Sequence, residues 1–127
     1  MINELNFYVI IINVFNIKRG LYMDDFTIKR TSLNGLYVQA SGRLDLDTAV
    51  DYGTKIKDAI EDSEETIVEV ILDFSQITFI SSFGLKIVLE LYKHLKSQEG
   101  VLKLKDVSEQ LMSSFKLVGF DKFLVFE

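Results

Sequence analysis

The sequence contains no cysteine, no proline and no tryptophan, and only one histidine, His94. Without cysteine it can form no disulfide, thiolate metal site or cysteine nucleophile. A single imidazole cannot build the clustered ligands of a zinc site, and it leaves no obvious base for a hydrolase triad. Positive charge is in the minority: 14 Lys and Arg against 19 Asp and Glu leave a net charge of −5. Nucleic-acid binders need a basic face, so that class of partner is not expected. No G-x-x-x-x-G-K phosphate loop occurs, and no base lies near a plausible nucleophile in sequence. Neither enzymatic activity nor a cofactor is therefore expected.

What remains has the composition of an ordinary soluble globular domain, 48% hydrophobic and 26% charged over 127 residues, enough to bury a core without metals or disulfides. Residues 1–22 differ from the rest. Their apolar run, Phe7 to Ile17, is interrupted by Asn13 and Asn16 and falls short of the roughly 20 apolar residues that span a bilayer. Lys18 and Arg19 follow the run instead of preceding it, unlike a secretory signal. Met23 stands directly before the first clean strand pattern. Two readings result: a misassigned start or disordered extension with Met23 as the true first residue, or an extra edge strand or membrane-associating tail. The domain itself is expected over residues 23–127, with no membrane insertion.

From Met23 onward the periodicity alternates between two kinds. Phe26, Ile28 and Arg30 alternate with Thr27, Lys29 and Thr31, a half-buried strand. Asn34-Gly35 is a hairpin signal, and "LYVQASG" reads as the partner strand. Ala49, Tyr52, Gly53, Ile56, Ala59 and Ile60 recur at helical spacing after Asp45 and Asp47, either of which can cap. The acidic stretch Glu61 to Thr66 reads as a solvated loop. It leads into "IVEVILDF", the near-continuous apolar run of a central strand covered on both faces. A second helix places Leu85, Val88, Leu89, Tyr92 and Leu95 on one stripe, with Lys86, Glu90, Lys93 and Lys96 outside it. His94, among lysines, is expected to face solvent. "VLKLKDV" alternates as a strand. A short helix follows with Leu111, Phe115 and Val118 inward and Gly119 closing it, and "KFLVFE" is a terminal strand. The order β-β-α-β-α-β-α-β implies a single α/β domain, a small mixed sheet packed with helices, parallel except for an opening antiparallel hairpin.

Ser81 and Ser82 lie where the central strand hands over to the second helix, at the carboxyl edge where open α/β sheets gather ligands and partners. Serine there caps the first turn. The same position suits a switch. A phosphate adds close to two negative charges beside the positive end of the helix dipole, so binding changes while the fold is kept.

"GRLDLDTA", "VILDFSQITFISSFGLKIV" and "LKLKDVSEQLMSSFKLVGFDKFLVFE" together resemble the STAS domain family, and within it the bacterial anti-sigma factor antagonists, from Met23 to Glu127. In that family the second strand ends in Gly-Glu-Leu-Asp. The central strand ends in an aromatic, an apolar residue and Asp-Ser-Ser-Gly-Leu or Asp-Ser-Ala-Gly-Leu, the first serine being phosphorylated. The ungapped equivalents are Gly42-Arg43-Leu44-Asp45 and Phe79-Ile80-Ser81-Ser82-Phe83-Gly84-Leu85. Ser82 falls on the phosphoacceptor, with Ser81 the lesser candidate. Three positions depart: Ser81 replaces the aspartate, Phe83 a small residue and Arg43 the glutamate.

The resemblance implies a cytoplasmic bacterial binding module that takes part in transcription regulation as a phosphoprotein and is not an enzyme. Its partners would be an anti-sigma factor serine kinase, which it engages to free a sigma factor, and a serine phosphatase. Asp45, Ser81, Ser82, Phe83 and Gly84 would form the partner-binding surface, Gly84 allowing close approach. The alternative is an unphosphorylated scaffold subunit of a lipid-transport ATPase or signalling complex, with Phe83 plugging a pocket on a permanent partner.

Overall fold

The computed structural model describes residues 25–127; both readings of residues 1–22, and Met23 itself, lie outside the described residues. Strands β1 (Asp25–Ser32) and β2 (Gly35–Leu44) are followed by α1 (Leu46–Asp62), β3 (Glu69–Ile80) and α2 (Ser82–Ser97). Then come β4 (Val101–Lys105), α3 (Glu109–Leu117), a 3-10 turn (Phe120–Lys122) and β5 (Val125–Phe126). The expected element order is observed. The five strands form one sheet in the order β1-β2-β3-β4-β5. The pair β1–β2 is antiparallel and the other three pairs are parallel, as strand–helix–strand connections require.

The inner row of the sheet is apolar because register aligns the buried positions. Leu36 and Val38 of β2 pair with Val70 and Leu72 of β3, which pair in turn with Leu102 and Leu104 of β4. All six are essentially inaccessible to solvent. β3 was expected to be covered on both faces, but Glu69 and Ile71 on its other face are only half-buried and Val68 is exposed. That second face is polar. Asp73 sits in it, accepting hydrogen bonds from Tyr37, Gln39 (3.4 Å) and the Ser75 amide (2.8 Å). Burial works to raise the Asp73 pKa, but the bonds from Ser75 and Tyr37 and the charge of Lys105 outweigh it and hold the carboxyl below its usual range. These same contacts with Asp73, led by the hydrogen bond, push the Tyr37 phenol up.

Local chemistry moves several boundaries. The hairpin turn is Leu33-Asn34, and Gly35 already belongs to β2, opposite Ser32. Asn34 is tied to the start of β3 instead: its Nδ2 donates to the Thr66 carbonyl at 2.7 Å, and its carbonyl accepts from the Val68 amide at 2.8 Å. A Cβ at Gly35 would meet the Thr31 hydroxyl, the end of an exposed side chain. The α1 face is as expected, with Ala49, Tyr52, Gly53, Ile56, Ala59 and Ile60 all buried. In α2 the buried line is Leu85, Val88, Leu91 and Leu95. Leu89 and Tyr92, expected in that stripe, are half-buried at its margin. The axis of burial runs through Leu91 because α2 packs on the sheet and against α1 together.

Leu111 and Phe115 of α3 point inward, whereas Val118 is 48% exposed. The helix ends at Leu117 and Gly119 turns left-handed at φ 80°, swinging Val118 outward. Phe115 anchors an aromatic cluster, its ring centroid 6.0 Å from Phe74 and 5.5 Å from Phe126. The terminal strand is shorter than expected, because a 3-10 turn takes up Lys122 and leaves only Val125–Phe126 paired with β4. The acidic loop residues Glu61, Asp62, Glu64 and Glu65 are exposed, and no cluster able to hold a metal ion occurs among the described residues. No helix among them is long and apolar enough to cross a membrane.

Candidate functional site

Parallel pairing brings the carboxyl ends of β2 and β3 level, with Leu44 opposite Ile80. The Ser81 amide donates to the Leu44 carbonyl at 2.9 Å, so the chain leaves both strands at one place and α1 and α2 begin side by side. Each start is capped by a residue singled out from the sequence. Asp45 caps α1, accepting from the amides of Asp47 (3.2 Å) and Thr48 (3.3 Å). The Thr48 hydroxyl accepts in return from the Asp45 amide at 2.9 Å, completing a capping box. Ser81 caps α2, its Oγ accepting from the Gly84 amide at 3.2 Å.

This geometry separates the two serines. Ser81 is half-buried with its oxygen committed to the cap, while Ser82 is the first helical residue and is exposed. The Ser82 hydroxyl makes no hydrogen bond among the described residues, and no carboxylate or imidazole is joined to it as a base. Its hydroxyl is open to solvent.

Arg43, Asp45 and Asp47 are charged side chains at the start of α1. The Asp45 carboxyl is held below its usual range, first by the hydrogen bond from the Thr48 amide and then by the Thr48 hydroxyl, the Asp47 amide and Arg43. Arg43, the residue in place of the family glutamate, lies with its guanidinium 4.0 Å above the Phe79 ring and its Nε 3.5 Å from Asp45. Two positive helix ends therefore face this edge, with the Asp45 carboxylate paired to Arg43 and Asp47 exposed in the first turn of α1.

Gly84, expected to allow close approach of a partner, has a packing role within the fold. It is buried, and a Cβ would lie 2.6 Å from the Leu44 carbonyl oxygen and 2.8 Å from Ile80 Cγ1. Its missing side chain seats α2 against the end of β2, inside the fold. Phe83 is half-buried and lines a cleft between α1 and α2. Leu46 and Val50, one turn apart on α1, are 62% and 48% exposed; in the sequence they form an apolar i, i+4 pair on the flank of the Ala49–Tyr52–Ile56 face. His94, expected to face solvent, is half-buried on the same cleft, its Nε2 shut off from solvent and without a hydrogen-bond partner.

With this geometry in view, comparison with known proteins gives one consistent answer. Residues 27–127 match the STAS domain family. Among solved structures of similar fold is Bacillus SpoIIAA in its phosphorylated form, at 20% identity and TM-score 0.63, covering 80% of this chain and 90% of that one. An anti-sigma factor antagonist from Mycobacterium paratuberculosis is 24% identical at TM-score 0.68, covering 80% and 82%. The murine Slc26a9 anion transporter is 12% identical at TM-score 0.69, over 87% of this chain but 21% of the transporter. Identities this low carry a likeness of fold alone. The family match spans nearly all of the described residues, and the chain belongs to the STAS domain family.

Proposed function

We propose that this chain is an anti-sigma factor antagonist of the bacterial cytoplasm: a binding module, not an enzyme, switched by phosphorylation of Ser82. Unphosphorylated, it docks an anti-sigma factor serine kinase through the edge formed by Asp45, Ser81, Ser82 and Phe83, and a sigma factor is freed. The kinase phosphorylates Ser82, the complex separates, and a serine phosphatase restores the hydroxyl. The observation that carries this reading is the exposed, uncommitted Ser82 hydroxyl on the first turn of α2, beside a serine that already holds the cap. A phosphate there brings about −1.5 to −2 charges to the positive end of the helix. The fold keeps its cap, and a matched partner surface meets a new anion. The departure at Ser81 is compatible with this, because serine and aspartate are equally good N-caps. Ser82→Ala is expected to bind the kinase persistently and Ser82→Asp weakly; equal affinities in a titration remove Ser82 from the mechanism.

One observation favours a second reading, a fixed scaffold in a lipid-transport or signalling complex. Phe83, with the exposed Leu46 and Val50 on α1, offers apolar surface that a permanent partner would cover. Phosphopeptide mapping of the native protein, with identification of what co-purifies, separates the two. Phosphate on Ser82 with a kinase-fold partner supports the switch; unmodified Ser82 in a stable complex of another kind supports the scaffold.

A further inference from the structure

The cleft between α1 and α2 is open to solvent on one side and has a volume of about 360 Å³, toward the small end of the roughly 300–1,000 Å³ of small-molecule sites. Gly53 is on its lining, and a Cβ there would lie 2.6 Å from Ile87 Cγ2, so the two helices approach closely at that point. Val50, Phe83, Ile87 and Leu91 supply apolar walls. Lys57 on α1 and Lys86 on α2 stand on its lining, both exposed, and neither takes part in an ion pair among the described residues. Glu90 is the one carboxylate on the lining, so the cleft carries a net positive charge in a chain whose net charge is −5. His94 adds a nitrogen that is shut off from solvent and has no hydrogen-bond partner, an arrangement proteins rarely leave unmet.

We propose that this cleft binds a small amphiphilic anion, a medium-chain carboxylate in chemical class, with its apolar body between Phe83 and Leu91 and its anionic head held by Lys57 or Lys86. The two features select together. The apolar walls favour an apolar body, and the two exposed lysines on the lining favour an anionic head. Binding needs neither a kinase nor a phosphoserine, so it stands whether or not Ser82 is a switch. Phe83 links the two places, since it follows Ser82 in the chain and forms one wall, and occupancy is felt in the first turn of α2.

The test is a nuclear magnetic resonance titration of the full chain with decanoate below its micelle concentration, with decanol and inorganic phosphate as controls. Saturable amide shifts confined to the cleft residues and to Ser82 and Phe83 are expected, with both controls much weaker. Lys57→Gln combined with Lys86→Gln is expected to weaken decanoate about tenfold or more. Thr54→Phe, which fills the cleft from an exposed position and leaves the charges in place, is expected to abolish the shifts. Absence of saturable decanoate binding overturns the site. Phosphate binding as well as decanoate makes it a plain anion site, and decanol binding as well as decanoate makes it an undifferentiated apolar patch; either result overturns the proposal.

Discussion

Two neighbouring hydroxyls with the same chemistry have different occupations. Ser81 spends its oxygen on the Gly84 amide, and Ser82 projects from the next position with nothing to hold it. Their stability effects should therefore differ although their side chains are identical. Ser81→Ala is expected to destabilise the domain by about 1 kcal/mol, the usual worth of an N-cap, and Ser82→Ala by no more than a surface change, within about 0.5 kcal/mol. Urea unfolding of the two variants checks this; equal losses would mean that the cap is shared. Gly84 is less forgiving. An added methyl meets the Leu44 carbonyl and Ile80, backbone and core at once, so Gly84→Ala is expected to cost about 1–3 kcal/mol. Its unfolding midpoint, measured beside that of Ser82→Ala, distinguishes a fold-seating glycine from one that serves a partner.

Helix α1 contains Gly53 in its interior, where glycine costs about 1 kcal/mol against alanine. The helix keeps it because α2 crosses at that point, with Ile87 filling the space a Cβ would take. Gly53→Ala is therefore expected to be destabilising despite the better propensity. In an Ile87→Ala background the same change should become neutral or favourable. A double-mutant cycle measured by denaturant unfolding reads this coupling, expected at about 0.5–3 kcal/mol; additive effects would place the helices farther apart than the structure shows. The other elements show the same division. Period and capping residues in the sequence marked α1 and α3, but the centre of the α2 stripe at Leu91 and the outward Val118 depend on what each helix packs against.

One core joins all the major elements: residues of β1, β2, α1, β3, α2, β4 and α3 belong to a single buried cluster. Unfolding should accordingly be one cooperative transition, with far-ultraviolet and tyrosine signals coincident; separated midpoints would show a part that melts alone. Its acid limb has an assigned contributor. The folded Asp73 carboxyl has a pKa below the 3.8 of an unperturbed aspartate, so the unfolded state binds the proton more readily. The stabilisation is complete above the unfolded pKa and is lost as pH falls through the lower folded value. Between pH 6 and pH 3 the urea midpoint of wild type is expected to fall more steeply than that of Asp73→Asn. Parallel slopes would show that Asp73 is not linked to acid unfolding.

Periodicity and capping residues determined, from the sequence alone, the element order and the inward face of α1, and the resemblance to the STAS family singled out Asp45, Ser81 and Ser82. These are local properties, set by side chains a few positions apart, or by a motif whose spacing is itself local. Tertiary structure decided the rest. Which serine caps and which is free depends on how the first turn of α2 sits over Leu44. Gly84 and Gly53 acquire their roles from a backbone and a helix distant in sequence. The cleft that takes up Phe83 and His94 exists only because two helices, each amphipathic by itself, pack nearly in contact at one glycine and leave space beside it.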